Sequence, residues 1–194
     1  IIESGVLPEG SFSFIAGSVG DLLDHLGPQD VLAFTGSGDT AANLRRMDAH
    51  ADRSVRVNVE ADSLNAAVMG PDVEPASETW QLMLNEVFTD VRQKAGQKCT
   101  AIRRVFVPPG RVDAFVGALE ERLDGVVVGN PADASVRMGP LVNRSQLEDV
   151  REGLAALSTE VSKVMGEVEP SGLSGVEDGK GYFVTPHLFR ADDL

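Results

Sequence analysis

An α/β fold with parallel sheets is the expectation for this chain of 194 residues, and three observations carry it. Val31-Leu32-Ala33-Phe34 is a continuous apolar run, as in a parallel strand covered on both faces; Gly36-Ser37-Gly38 and then helical composition over 40–47 follow at once. Val55, Val57 and Val59 alternate with Arg56 and Asn58, the period of a half-buried strand. Amphipathic stripes then recur at helical spacing: Leu84, Val87, Phe88, Val91 and Ala95, then Val112 to Leu123, then Leu147 to Leu157. Strands that alternate with helices make parallel sheets, because a parallel partner is reached only through a long crossover.

In order along the chain, residues 1–10 read as a helix tail and a turn, with Gly5 and Pro8-Glu9-Gly10 as its markers. Phe12, Phe14 and Ile15 predict a short strand ending at Gly17, and 21–26 a brief helix closed by Gly27-Pro28. Strand, glycine turn and helix over 31–47 form the arrangement that aims backbone N–H groups at an anion, although Gly36-Ser37-Gly38 read alone also suits a flexible turn. Residues 60–65 leave the strand of 54–59, and 65–69 form another that ends at Gly70-Pro71-Asp72. Ser77 is the candidate N-cap of the next helix, whose stripe packs inward and delivers the chain to residue 99. Ile102 to Val107 reads as a strand, Pro108-Pro109-Gly110 as a turn, and Val126-Val127-Val128 leads into Gly129-Asn130-Pro131. Residues 166–181, rich in glycine and acids, predict a long exposed loop. His25, His50 and His187 lie far apart and read as surface residues.

Composition excludes several functions. The net charge is −13, from 17 basic and 30 acidic residues. Such a surface repels phosphate, which argues against nucleic acid or an anionic membrane as partner. No apolar run approaches the ~18 residues of a membrane span, and no signal peptide is evident. One cysteine forbids an intrachain disulfide and suits a cytoplasmic location. No repeat and no metal-spaced cluster stands out.

That cysteine, Cys99, follows Gly96 and Gln97 where the amphipathic pattern breaks. Lys94, Lys98, Arg103 and Arg104 flank it, and cations favour the thiolate, which is the nucleophile. A lone cysteine is also, commonly, a small buried hydrophobe. Glu60 at the end of a strand is in the same position: a solvated carboxylate, or a base.

Motifs that share one order decide between these readings. Gly96-Gln97-Lys98-Cys99-Thr100-Ala101 resembles the G-Q-x-C-x-A signature around the nucleophilic cysteine of the aldehyde dehydrogenase superfamily. Phe34-Thr35-Gly36-Ser37 resembles its F-T-G-S turn, and Glu60 stands where that family places a glutamate. Gly129-Asn130-Pro131 with Gly139-Pro140 resembles its later G-N-P and G-P elements, and Tyr182 to Pro186 its G-Y-F-V-x-P strand. Two departures stand out: Ala41 replaces a usual second glycine, and Glu60-Ala61-Asp62-Ser63-Leu64-Asn65 replaces the usual E-L-G-G-K. The latter resembles the branch that oxidises coenzyme A-tethered semialdehydes from aromatic acids such as phenylacetate.

The resemblance implies a piece of a larger enzyme, with residues 1–59 the C-terminal part of a Rossmann-like dinucleotide-binding domain and 60–194 the major part of the catalytic domain. It implies Cys99 as nucleophile and Glu60 as general base, with Gly36, Ser37 and Ala61 against an NADP or NAD cofactor and no metal. It also implies a small aldehyde substrate, coenzyme A-linked in this branch, and a homo-oligomeric parent enzyme. The rival classes are a cysteine-dependent acyl hydrolase, which would pair Cys99 with a histidine, and a non-catalytic interaction domain.

Overall fold

The computed structural model describes residues 4–47 and 51–191. Residues 1–3 of the helix tail and turn expected over 1–10, and the surface position expected of His50, lie outside the described residues. Strands and helices alternate, as an α/β fold requires, in two compact units, Ile1–Asp62 and Ser63–Leu194.

In the first unit, β1 (Val31–Gly36) pairs in parallel with β2 (Arg56–Ala61), and α1 (Gly38–Arg45) connects them. The helix starts at 38 because Ser37, in extended conformation, caps it: its Oγ accepts the N–H of Thr40. Leu32 and Val57 of the sheet face Leu44 of the helix, with Leu23 of the 3-10 turn Leu22–His25 and Leu26 just after it closing the apolar side. Ala41 is 1% and Val55 2% exposed, so the methyl that replaces glycine at 41 is fully packed. Burial of β1 on both faces is not found. Its residues alternate exposed and half-buried, and Val31 is 52% exposed, because the helix covers one side only. β2 also runs further than its alternation suggests, through Glu60 to Ala61. The strand expected at 12–15 is absent: Phe14 is 77% exposed and pairs with no strand among the described residues.

The second unit holds β3 (Asn65–Val68), α2 (Glu78–Arg92), β4 (Ile102–Phe106), α3 (Val112–Asp124), α4 (Arg144–Leu157), β5 (Ser162–Met165) and β6 (Leu188–Arg190). β3 and β4 are parallel; β5 and β6 are antiparallel. Ser77 caps α2 through the N–H of Trp80, as its position suggests. The stripes of α2 and α3 meet in one core, where Trp80, Leu84 and Val87 pack against Phe115, Leu119, Leu123 and Met69. Trp80 and Phe115 stack edge to face at 5.3 Å, the arrangement that ring quadrupoles favour.

A second core gathers Val128, Met138, Leu141, Phe183 and Val184. It corrects two expectations. The segment 166–181 is not solvated throughout, since Val168, Leu173 and Val176 pack on this core. Ser174 donates its N–H to Val128 and accepts that of Asn130, so Gly129 lies against it where a Cβ would approach the Ser174 carbonyl to 2.2 Å. Tyr182 to Pro186 forms no strand; Leu141 donates its N–H to the Tyr182 carbonyl and Thr185 donates its own to the Glu167 carbonyl, and strand pairing begins only at Leu188. His187, expected at the surface, is half-buried, stacked on Phe189 and bonded to the Thr185 carbonyl. Burial holds its imidazole below the ordinary value, the Thr185 bond opposing.

Candidate active site

The turn that carries Cys99 is built from the end of α2 onwards. The helix stops at Arg92, and Lys94, Ala95 and Gly96 follow with φ of 54°, 53° and 70°. Three consecutive left-handed residues reverse the chain at a cost, because only glycine adopts this conformation freely. Ala95 therefore leaves the helical stripe it was expected to extend, and packs on the second core instead. Gln97 fixes the reversal. Its Nε2 donates to the Lys94 carbonyl at 2.9 Å and the Pro140 carbonyl at 3.4 Å, and its Oε1 accepts the N–H of Val142 at 2.9 Å.

Residues 98–101 close a tight turn through the bond from Ala101 N–H to the Lys98 carbonyl, with Cys99 and Thr100 exposed at its crest. Ala101 beside it is 0% exposed, which leaves no room for a larger side chain. Asp90, buried at 7% exposure, brackets the turn from below. Its Oδ1 accepts Lys98 Nζ at 2.6 Å and its Oδ2 the N–H of Ile102 at 3.0 Å. Burial works against the charge, yet the bonds from Lys98 and Ile102, with the charges of Lys98 and Arg103, hold its carboxyl below the ordinary value.

Two of the flanking cations are thus committed to other partners. Lys98 serves Asp90, and Arg104 Nη2 donates to the Leu64 carbonyl at 2.7 Å. From the start of β3, Asn65 Nδ2 donates to the Cys99 carbonyl at 2.7 Å and to that of Ala101 at 3.3 Å, and the Ser63 hydroxyl donates to the same Cys99 carbonyl. Sequence reasoning passed over Asp90, Ser63 and Asn65. One signal existed for Asp90, an acid on the same side of α2 as buried Val87; Ser63 and Asn65 gave none beyond their departure from the family pattern.

In the first unit, parallel register sets Thr35 beside Glu60 and Gly36 beside Ala61, at the C-terminal end of both strands. Ligands of open α/β sheets gather at this end. Gly36, Ser37 and Ala61 are thus neighbours, with Glu60 exposed next to them. The residues present suit an anionic group in kind, since one already uses them: Asp62 Oδ1 accepts the N–H of Gly38 at 3.0 Å at the start of α1. The Ser37 hydroxyl is turned to Thr40, accepting its N–H at 3.3 Å and bonding its Oγ1 at 3.0 Å. Among the described residues no group of three or more His, Cys, Asp or Glu could hold a metal ion, and no helix is long and apolar enough to cross a membrane.

Comparisons with known proteins point one way. A model of the aldehyde dehydrogenase family matches residues 1–193. The chain is 42% identical over 195 residues to 3,4-dehydroadipyl-CoA semialdehyde dehydrogenase of Aromatoleum evansii, an alignment covering 99% of this chain and 37% of that protein. Among solved structures it is similar to a Mycobacterium tuberculosis aldehyde dehydrogenase complexed with NAD+, at 28% identity and TM-score 0.67, covering 82% of this chain and 31% of that one. A gamma-glutamyl-gamma-aminobutyraldehyde dehydrogenase from Burkholderia cenocepacia matches equally well, at 28% identity and TM-score 0.67, with 82% and 30% covered. The chain thus spans well under half the length of these relatives.

Proposed function

Because the chain belongs to the aldehyde dehydrogenase family, we propose that it supplies the nucleophile and the base for NAD(P)-dependent oxidation of an aldehyde to a carboxylic acid. The observation that carries this reading is Cys99 itself: an exposed side chain at the crest of a turn whose backbone is pinned from three sides. A fixed backbone under an exposed sulfur is what a nucleophile needs, since attack requires the sulfur at about 3–3.5 Å from the carbonyl carbon with orbitals aligned.

In the mechanism, the Cys99 thiolate adds to the aldehyde carbon, and the carbonyl oxygen takes the negative charge. The Cys99 N–H, on the same fixed backbone, donates to that oxygen. Gly36, Ser37 and Ala61 would hold the NADP or NAD cofactor, which would supply the acceptor for the hydride. Loss of hydride leaves an acyl thioester on Cys99. Glu60 then takes a proton from water, the hydroxide adds to the acyl carbon, and the Cys99 thiolate departs as the acid is released. A retained Glu60 favours hydrolysis over acyl transfer to a free thiol.

For the substrate, the E-A-D-S-L-N segment and the named Aromatoleum relative both support a semialdehyde already linked to coenzyme A. The full-length enzyme acts as a homo-oligomer, with the Tyr182 to Pro186 segment contributing to subunit contact.

Two variants of the full-length enzyme test the assignment. Cys99→Ala is expected to abolish NAD(P)+ reduction while dinucleotide affinity survives; activity within tenfold of wild type would sink the role. Glu60→Gln is expected to give one burst of reduced cofactor and then stall, losing about 10²–10⁴-fold in steady state. Intact mass should then find the acyl group on the protein; steady turnover at full speed without an adduct would remove Glu60 from the mechanism.

A further inference from the structure

The segment Asp62-Ser63-Leu64-Asn65 meets the cysteine turn, or the strand that leaves it, at every step after residue 62. The Ser63 hydroxyl and Asn65 Nδ2 both donate to the carbonyl of Cys99, the latter at 2.7 Å. Asn65 Nδ2 reaches the Ala101 carbonyl at 3.3 Å, and the Leu64 carbonyl accepts Arg104 Nη2 at 2.7 Å. The sheet itself is bent for this purpose. Asn65 pairs with Ile102 but Ala66 with Arg104, so Arg103 is an extra residue, and bulges of this kind re-aim a strand at a functional site.

A carbonyl oxygen has two lone pairs, and here two side chains fill both. That saturation fixes the peptide plane between residues 99 and 100. The Cys99 N–H lies in the preceding peptide plane, whose Lys98 carbonyl accepts the N–H of Ala101 at 3.0 Å; with both planes held, the Cys99 Cα and its bond to Cβ have a fixed direction. In the usual E-L-G-G-K pattern the residue at the Ser63 position is glycine, which has no side chain to offer. We propose that Ser63 and Asn65 are positioning residues for the Cys99 nucleophile, acting through its backbone carbonyl and not through substrate. This rests on the reading of Cys99 as nucleophile.

The test uses the full-length enzyme and two readouts. Asn65→Asp keeps size but presents an oxygen to the Cys99 carbonyl in place of a donor; Ser63→Ala removes the exposed hydroxyl with little risk to folding; Ser63→Thr restores it. For Asn65→Asp, kcat is expected to fall at least tenfold with KM within twofold. Hydrogen exchange in the peptide containing residues 98–101 should accelerate by a similar factor while the rest of the molecule is unchanged. Ser63→Ala should show both effects in smaller degree, and Ser63→Thr should recover wild-type values. Wild-type kcat in Asn65→Asp and Ser63→Ala would overturn the proposal. So would faster exchange without loss of kcat, which would make the contacts structural only, and so would a loss in Ser63→Ala that threonine fails to restore. Failure of the underlying reading is separable: it shows as turnover in Cys99→Ala, whereas the exchange measurement does not depend on chemistry at the sulfur.

Discussion

Asp90 shows how a residue that touches no substrate can govern a site. One carboxylate oxygen takes Lys98 and the other takes the N–H of Ile102, so a single buried group closes both shoulders of the Cys99 turn. Replacing it by asparagine keeps an acceptor for Ile102 but leaves Lys98 without its counter-charge. Lys98 retains 28% of its side-chain exposure, which lets water soften the loss, and a destabilisation of about 2 kcal/mol is expected in urea melts. The carboxyl is held below its ordinary value in the folded state, so the unfolded chain binds the extra proton. Its contribution is complete above about pH 4 and is lost as pH falls through the folded value. A melting temperature that declines in this acid range for wild type, and less steeply for Asp90→Asn, is the expected result. Parallel pH curves for the two proteins would show that the group contributes nothing.

At the scale of elements, what depends on local periodicity was legible and what depends on partners was not. The α2 and α3 stripes read correctly because their apolar residues repeat at the helical period, and the Ser77 cap because a serine before an acidic first turn has few other uses. The strand expected at 12–15 failed for the opposite reason: Phe12, Phe14 and Ile15 have strand composition, but a strand exists only beside another. β5 went unforeseen because Ser162–Met165 has no alternation of its own and is defined by β6 across from it. Ala95 was assigned to a helix that ends at Arg92, since nothing in Lys94-Ala95 announces a left-handed backbone. At the site, Cys99 and Glu60 were visible as residue types in motifs. The hold that Ser63 and Asn65 have on the turn was invisible, as it spans 36 and 34 residues of sequence and depends on the β3–β4 register.

Over the whole molecule, stability is unevenly distributed. The second unit has two apolar cores, whereas the first has Ala41 and Val55 as its buried apolar residues. Unfolding in denaturant is therefore expected to depend on the probe. Trp80, the single tryptophan and 3% exposed against Phe115, reports on the second unit alone, while far-ultraviolet dichroism sees both. The dichroism transition should begin at lower urea than the fluorescence transition. Superimposable curves would show that the units unfold as one.

Asp62 has a consequence for any phosphate-bearing ligand that approaches α1. Its carboxylate already bonds the N–H of Gly38, at a residue whose φ of 56° points the side chain back over the helix start. A covalently attached anion competes at an effective concentration on the order of millimolar or above, whatever the concentration of free ligand. The helix entrance is thus screened by a built-in competitor, and an incoming pyrophosphate pays for evicting it. Asp62→Asn, which tolerates the same backbone, should tighten dinucleotide binding several-fold in a titration; unchanged or weaker binding would mean that the carboxylate never stood in the way.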